Sequence, residues 1–136
     1  MVNVGQRIMV TAIIKKAGRY LVLKRSKKNK GFAGYWQFPE GGIEIYESPL
    51  EALGRELEEE LSLELVNAKL LWLHSSITEF MHLKLHVIRA FYLCKVRGTI
   101  KLSEEHSEYK WLTKKQIGKL KLIAGINWEE IKDIIK

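Results

Sequence analysis

The sequence contains a single cysteine, Cys94, which excludes an internal disulfide and argues against a zinc site built on thiolates. Cys94 stands in an apolar run that is typical of a strand, so we expect a buried structural thiol. No apolar run approaches the ~20 residues needed to cross a bilayer, and residues 1–7 lack the layout of a signal peptide. These absences favour a soluble, cytoplasmic protein without a membrane partner.

Proline is also scarce, with two residues, and the chain has no internal repeat and no low-complexity linker. A length of 136 residues with 46% hydrophobic residues allows one buried core and leaves no room for a second catalytic domain. We therefore expect a single domain over residues 1–136. The composition does not decide between a monomer and a homodimer.

Acidic residues are concentrated in one segment. Residues 40–60 hold eight glutamates and one cation, Arg55, and so carry a net charge of −7. The whole chain carries +7, so the other residues together carry +14. A uniformly basic protein would suggest nucleic-acid binding. A basic chain with one acidic segment favours metal ions held by the acids, and polyphosphate held by the metal and the basic surroundings together.

Apolar periodicity predicts a mixed α/β sandwich around one sheet. Strands are expected at residues 8–15, 19–25, 36–39, 68–73, 83–96 and 108–112. Short closing helices are expected at residues 114–120 and 128–135.

The best-specified helix starts at Ser48. Ser48 offers an N-cap hydroxyl, Pro49 suits the first helical position, and Glu51 completes a capping box. The helix should run to about residue 61. A buried stripe is expected at Leu50, Leu53, Leu57 and Leu61.

Three glutamates of this helix, Glu56, Glu59 and Glu60, cluster on a face that points away from the leucine stripe, and the small Ala52 lies on that face. Like charges three and four residues apart destabilise a helix by roughly 0.2–0.5 kcal/mol per pair, and the C-terminal half of a helix favours cations instead. A bound Mg²⁺ or Mn²⁺ would remove both penalties, because these ions take oxygen ligands. A solvated helix face is the alternative interpretation.

The surrounding residues closely resemble the Nudix box, G-x5-E-x7-R-E-U-x-E-E-x-G-U, where U is a bulky aliphatic residue. The matching positions are Gly41, Glu47, Arg55, Glu56, Leu57, Glu59, Glu60 and Leu63. Ser62 replaces the last glycine, and Tyr46 stands where many members have glycine before the glutamate. The resemblance implies a Nudix-type α/β/α sandwich around a mixed β-sheet, and a metal-dependent hydrolase of phosphoanhydride bonds.

The resemblance also implies roles for individual residues. Glu56, Glu59 and Glu60 would bind metal, together with the backbone carbonyl of Glu40. Arg55 would orient Glu56, while Gly41 and Glu47 would support the loop and the start of the helix. Glu105 matches an outlying carboxylate that completes the metal site or acts as the base; Glu104 and Glu108 are its competitors, and an exposed loop acid is the alternative. The general base would be Glu56 or Glu105.

The flanks of the box point to polyphosphate substrates without agreeing on one. Residues 36–43 resemble the loop of RNA pyrophosphohydrolases and plant-type diadenosine polyphosphate hydrolases. Residues 102–112 are similar to a stretch of animal-type diadenosine tetraphosphate hydrolases and of some dihydroneopterin triphosphate hydrolases. We expect a nucleoside polyphosphate, either a dinucleoside polyphosphate such as diadenosine tetraphosphate or a nucleoside triphosphate, including oxidised ones. A 5′-end RNA pyrophosphohydrolase and a non-catalytic nucleotide-binding module remain alternatives.

Candidate substrate-binding residues come from a basic loop and from scattered aromatic residues. Lys24 and Arg25 begin a basic stretch that could meet the distal phosphates, although a solvated loop explains it equally well. Tyr35, Phe80 and Tyr109 could stack on a base, and for each of them packing in the core or on the surface is the competing role.

Overall fold

The structure, a computed structural model, describes residues 4–135 except for the side chains of Val4 and Phe80. Residues 1–3 and 136 lie outside this range. They belong to the expected domain of residues 1–136, and residues 1–3 also belong to the stretch 1–7 that was compared with a signal peptide. The strands are β1 (Val4–Lys16), β2 (Arg19–Arg25), β3 (Trp36–Gln37), β4 (Glu40–Gly42), β5 (Glu64–Phe80), β6 (Leu83–Arg97) and β7 (His106–Leu112). The helices are α1 (Pro49–Leu61), α2 (Lys114–Ile117) and α3 (Trp128–Ile131). No helix within residues 4–135 is long and apolar enough to reach across a bilayer.

Strand β1 joins the two halves of a mixed sheet. It runs parallel to β6 from the pair Val4 and Lys84 to the pair Ile14 and Cys94. Its middle pairs with β4, and its end turns back antiparallel into β2. β5 flanks β6, whereas β3 and β7 flank β2. β1 is therefore the strand that pairs with both halves of the sheet.

Helices cover the sheet on both sides. Side chains alternate between the two faces along a strand. Val10 and Ile14 of β1 belong to the buried cluster that contains the leucines of α1. Ile13 belongs to the cluster that contains Ile117 of α2 and Ile131 of α3. This arrangement confirms the α/β/α sandwich around a mixed sheet. Cys94 is buried and free, which confirms the expected structural thiol.

Helix α1 begins where its residues predict. The Ser48 hydroxyl accepts the backbone N–H of Glu51, and the Glu51 carboxylate accepts the N–H of Ser48. Together with Pro49 in the first turn, this capping box confirms the predicted start. At the other end, Ser62 has a φ of 58° and donates its N–H to the carbonyl of Glu58. The helix ends there because a left-handed residue cannot continue a right-handed helix.

Both departures from the Nudix box lie at positive φ. Tyr46 has a φ of 68° and Ser62 a φ of 58°. Glycine adopts this conformation without the steric cost that a Cβ brings. The chain therefore keeps the backbone that the glycines of the pattern would favour, but with two side chains that strain it.

The leucine stripe of α1 is shorter than expected. Leu53, Leu57 and Leu61 are buried, but Leu50 is 51% exposed, so its assignment to the stripe is wrong. Leu50 has nearly the same angular position as Leu61 and lies about three turns earlier, so the first turn extends beyond the core. Ala52, expected on an open face, is fully buried because it belongs to the same core cluster as Val10 of β1 and Leu53 of α1.

Several boundaries differ from the predicted ones. β5 covers Glu64–Phe80 rather than 68–73, because it pairs with β6 along its whole length even where its residues are polar. The helices α2 and α3 are single turns, shorter than the expected 114–120 and 128–135. After α2 the N–H groups of Lys119 and Leu120 bond to carbonyls three residues earlier, so the chain continues as tight turns and not as an α-helix.

Candidate active site

The C-terminal half of α1, strand β4 and the loop before β7 enclose a cavity of about 600 Å³, called the acidic cavity below. Its acidic lining residues are Glu40, Glu56, Glu59, Glu60, Glu104 and Glu105. Its basic lining residues are Arg7 and Arg25. Three segments that are far apart in sequence therefore bring carboxyl groups to one place.

Glu60 is the most buried of the three α1 glutamates. Its Oε2 has no hydrogen-bond partner among the described residues. Burial, together with the charges of Glu56, Glu105 and Glu40, raises the pKa of Glu60 to about 9. A hydrogen bond between the backbone of Glu40 and this carboxylate offsets only part of the rise in the pKa of Glu60. The carboxyl group of Glu60 is thus held in a strongly negative environment.

The backbone of Glu40 points towards α1. The neighbouring Pro39 accepts a hydrogen bond from the N–H of Ala12 in β1. Because alternate residues of an antiparallel strand bond to the partner strand, the N–H and carbonyl of Glu40 point away from β1. Since its backbone already bonds to Glu60, the carbonyl of Glu40 faces the same side as the helical carboxylates.

Arg55 holds several acidic residues in fixed positions. Its Nε and Nη2 donate to the two carboxylate oxygens of Glu47 at 2.7 and 2.9 Å. Its Nη1 donates to Glu56 at 2.7 Å and to Glu59 at 3.3 Å, and Nη2 also donates to the carbonyl of Gly42. The hydrogen bonds from Arg55 lower the pKa of Glu47 to about 2. Glu47 therefore stays ionised and keeps the guanidinium in place.

Gly41 lets the side chain of Glu56 lie against strand β4. A Cβ at position 41 would overlap the carboxyl group of Glu56. No other residue can therefore stand at position 41 while Glu56 keeps this conformation. Glycine is required here because the Glu56 side chain comes very close to the backbone of residue 41, and not because the backbone turns.

The loop before β7 adds two further groups. One oxygen each of Glu60 and Glu105 and one ring nitrogen of His106 all lie within 4.8 Å of one another. Burial, assisted by the charge of Arg25, lowers the pKa of His106 to about 4, so the ring is neutral at pH 7. Neither ring nitrogen has a hydrogen-bond partner within the described part of the chain.

These groups fit a hard divalent cation. A buried carboxyl group with an unpaired oxygen, surrounded by other carboxylates, is unfavourable unless a positive charge joins it. Carboxylate and carbonyl oxygens are the ligands that Mg²⁺ and Mn²⁺ take. The groups that could hold such an ion are the carboxylates of Glu56, Glu59, Glu60 and Glu105 and the carbonyl of Glu40.

The side chain of Glu40 points in a different direction. Its Oε1 accepts a hydrogen bond from the Thr11 hydroxyl at 2.9 Å and from Arg89 Nε at 3.0 Å, and all three side chains are buried. Arg89 Nη1 also donates to the carbonyl of Gly125. Gly125 lines a second cavity, of about 690 Å³, between β5 and residues 120–130. Arg89 therefore connects the acidic cavity with this second cavity.

The second cavity offers free hydrogen-bonding groups beside an indole ring. Its lining includes His74, Ser76, Asn127 and Trp128. The Ser76 hydroxyl and His74 Nδ1 are buried and have no hydrogen-bond partner in the range 4–135. A flat polar ligand could supply those partners.

The basic residues predicted to bind phosphate lie in different environments. Arg25 lines the acidic cavity. Its three guanidinium nitrogens donate to oxygens of Gly31, Gln37 and Asn29. Lys24 lies on β2 and lines neither the acidic nor the second cavity. Of the two, only Arg25 is at the site, and three of its five N–H groups donate to oxygens within the protein.

The aromatic residues predicted to stack on a base are not brought together. The Tyr35 ring lies under the Lys121 ammonium, 4.6 Å from the ring centroid, and lines neither cavity. Tyr109 lines a third cavity, on another part of the molecule. The side chain of Phe80 lies outside the described part of the structure.

Sequence reasoning missed Arg7, Arg89 and His106. Arg89 carried a usable signal, because a charged residue within an apolar strand needs a buried partner. His106 directly follows Glu105, which was a candidate ligand. Arg7 lines the acidic cavity and makes no ion pair with another described residue. Nothing in the sequence marked Arg7, because only the pairing of β1 with β4 brings it there.

The chain is similar to known proteins along nearly its whole length. A family model described as the NUDIX domain matches residues 5–133. The nucleoside triphosphatase NudI of Shigella flexneri is 29% identical over 115 residues, which are 79% of this chain and 82% of that protein. The crystal structure of the MutT protein from Methanosarcina mazei Go1 matches with a TM-score of 0.80 and 28% identity, covering 98% of this chain and 97% of that one. A MutT NUDIX hydrolase from Burkholderia pseudomallei matches with a TM-score of 0.77 and 25% identity, covering 97% of this chain and 99% of that one. Since the family model covers more than nine tenths of the residues and the fold agrees, the chain belongs to the NUDIX hydrolase family.

Proposed function

We propose that the chain is a metal-dependent pyrophosphohydrolase that cleaves a phosphoanhydride bond of a nucleoside triphosphate. The observation that carries this proposal is the convergence of carboxylates on the acidic cavity around Glu60, whose buried Oε2 has no partner among the described residues. The name of the relative from Shigella flexneri, nucleoside triphosphatase, supports the substrate class.

The protein's own residues would prepare the site before substrate arrives. Mg²⁺ or Mn²⁺ at the site would neutralise phosphate oxygens and lower the pKa of a bound water. Arg55 holds Glu56 and Glu59 by hydrogen bonds, and Gly41 leaves the space that Glu56 occupies. Ligands that are already in place reduce the reorganisation needed during the reaction.

Glu56 is our choice for the general base. Its carboxylate is half-buried and its orientation is fixed by the 2.7 Å hydrogen bond from Arg55. Glu105 is exposed, and its side chain makes no hydrogen bond with another described residue. A base must be positioned to take a proton from the attacking water, so the fixed carboxylate suits the task better. Glu105 then completes the cation site.

The second cavity is our choice for the nucleobase. Arg89 connects it to the acidic cavity by hydrogen bonds to Glu40 and to the carbonyl of Gly125, and its unpaired groups, Ser76 Oγ and His74 Nδ1, could hydrogen-bond to the edge of a base. Arg7 is the cation that we assign to phosphate, because it lines the acidic cavity without an ion pair to a described residue. Arg25 also lines the acidic cavity, but three of its N–H groups already donate within the protein, so we place it second to Arg7 in this role.

The test is a phosphate and pyrophosphate release assay with Mg²⁺ over nucleoside triphosphates, diadenosine tetraphosphate and 5′-triphosphate RNA. We expect nucleoside triphosphates to be hydrolysed with the highest kcat/KM. Glu59→Gln should lower kcat by at least about 10²-fold. Glu58→Gln is the matched control, because Glu58 is exposed and does not line the acidic cavity, and it should keep its activity.

Two results would contradict the proposal. A near-normal rate for Glu59→Gln would remove the metal assignment, and faster hydrolysis of RNA or of the dinucleotide would replace the substrate class. We also propose that residues 1–136 act as one domain in the cytoplasm, as a monomer or homodimer. Limited proteolysis would test the single domain, light scattering the oligomeric state, and cell fractionation the location.

A further inference from the structure

His106 is a buried residue at the start of β7, next to the acidic cavity. Its backbone pairs with that of Arg25 in β2, and Arg25 lines the cavity. One ring nitrogen of His106, one carboxylate oxygen of Glu60 and one of Glu105 all lie within 4.8 Å of one another. Atoms from α1 and from the junction of the preceding loop with β7 thus enclose one small space.

Two of these side chains have polar atoms without a partner. Both ring nitrogens of His106 and Oε2 of Glu60 are buried, and none of them has a hydrogen-bond partner within residues 4–135. Such atoms are rare in folded proteins, and here they indicate a partner that is bound from solution. A carboxylate and a neutral imidazole both offer lone pairs, so a cation is the partner that suits them both.

The spacing of the three atoms is compatible with one shared ion. At bond lengths of roughly 2.0–2.2 Å, two ligands of one ion are about 3 Å apart when they are neighbours and about 4.0–4.4 Å apart when they lie opposite each other. The atoms of Glu60, Glu105 and His106 are all within 4.8 Å of one another, so adjustments of the side chains would let them bind the same ion.

We propose that His106 supplies a nitrogen ligand to a divalent cation shared with Glu60 and Glu105, and that this ligand makes the position prefer Mn²⁺ to Mg²⁺. Mg²⁺ is bound mainly by carboxylates, water and phosphates, whereas imidazole increases the affinity for first-row transition ions. The inference rests on the proposed function, because it concerns a cation of the same acidic cavity. It adds a ligand from β7 to the glutamates of α1.

Pulsed EPR of the protein loaded with Mn²⁺, without nucleotide, tests the ligand directly. A nitrogen bound to Mn²⁺ modulates the electron spin echo, and we expect this modulation in the unmodified chain. His106→Asn should lose it, because the imidazole is gone. His86→Asn is the matched control: it removes a ring from β6 that does not line the acidic cavity, and it should keep the modulation.

Calorimetric titration with Mn²⁺ and with Mg²⁺ tests the preference. We expect His106→Asn to weaken the binding of Mn²⁺ at least about tenfold and that of Mg²⁺ less than about threefold, since Mg²⁺ gains little from a nitrogen ligand. His86→Asn should change neither affinity. The melting temperature checks that each variant folds, and the echo of the unmodified chain decides on the ligand without any variant.

The outcomes separate this inference from the proposed function. Bound Mn²⁺ without nitrogen modulation would overturn the role of His106 and leave the proposed hydrolase intact. Equal weakening of Mn²⁺ and Mg²⁺ in His106→Asn would also overturn it, because a ring that only positions Glu60 affects both ions alike. A chain that binds neither ion would overturn the proposed function itself.

Discussion

Arg89 Nε lies 3.0 Å from Oε1 of Glu40, and both side chains are buried. The pair links β6 to β4, so it holds in place the strand whose backbone faces the α1 glutamates. Through Arg89 Nη1 and the carbonyl of Gly125 it also reaches the second cavity. One ion pair thus connects the proposed cation site with the proposed base site.

Breaking this pair should destabilise the protein strongly. Arg89→Leu would leave the Glu40 carboxylate buried without its cation, and we expect a loss of about 3–5 kcal/mol in the free energy of unfolding, measured by chemical denaturation. Arg89→Leu/Glu40→Gln should recover part of this loss, because no unpaired charge remains. Arg97→Leu is the control: its pair with Glu64 is exposed, at 3.7 Å, and should contribute less than about 1 kcal/mol. Equal losses in Arg89→Leu and Arg97→Leu would contradict the buried pairing.

Restoring glycine at the two strained positions should stabilise the fold. Ser62→Gly and Tyr46→Gly relieve a positive φ of 58° and 68°, respectively. We expect a gain of about 0.5–1 kcal/mol for each, because the relief of strain exceeds the greater flexibility of glycine in the unfolded chain. Ser62→Ala keeps the Cβ and should bring no gain. Thermal denaturation is the measurement, and a lower melting temperature for both glycine variants would speak against the strain.

A methyl group at position 41 should impair activity more than stability. In Gly41→Ala the new Cβ would push the carboxyl end of Glu56 away from the position in which Arg55 holds it, so we expect kcat to fall by at least about tenfold with a small change in melting temperature. Gly54→Ala is the matched control, since a Cβ there would meet no atom within 4 Å. That variant should keep its activity and gain up to about 1 kcal/mol from helix propensity. An equal effect of both changes on kcat would refute the role of Gly41.

Removing the negative charge of Glu60 should stabilise the metal-free protein. Its pKa of about 9 in the folded state lies above the usual 4.5, so the folded state binds the proton more tightly than the unfolded state. In EDTA this group therefore contributes stability below about pH 4.5 and loses it progressively as the pH rises towards 9.

Glu60→Gln should abolish that loss, with a gain on the order of 1 kcal/mol at pH 8 in EDTA. The pKa of His106 is lowered to about 4, so acidification lowers the stability of the folded state through this residue, opposite to the effect of Glu60. The quantity to compare is therefore the difference in free energy of unfolding between Glu60→Gln and the unmodified chain, measured at pH 5 and at pH 8. With excess Mg²⁺ the order should reverse, because the unmodified chain binds the ion more tightly. A Glu60→Gln variant that is less stable in EDTA at pH 8 would contradict the unfavourable environment of this carboxyl group.

Sequence reasoning succeeded where the determinants are local. The start of α1 follows from Ser48, Pro49 and Glu51, which contact one another within one turn. The placement of Glu56 and Glu60 along the acidic cavity follows from helical spacing and from the Nudix box. The fold class followed from strand and helix periodicity and from the same resemblance.

It failed where distant segments meet. The exposure of Leu50 and the burial of Ala52 depend on where the core lies relative to α1, which helical spacing does not specify. The partnership of Glu40 with Arg89 joins residues 49 positions apart. The second cavity is likewise formed between segments that no motif connects. Such features follow from the packing of the whole chain.

The parallel pairing of β1 with β6 also constrains how the protein is made. Val4 pairs with Lys84 and Ile14 with Cys94, so the first strand to leave the ribosome lacks its longest partner until about two thirds of the chain has been synthesised. Until then only β2, β4 and helix α1 are available to cover the apolar side chains of β1. Pairings between distant residues form slowly and leave strand edges open to aggregation. Slower translation before residue 94 would therefore prolong the interval in which the nascent chain needs a chaperone.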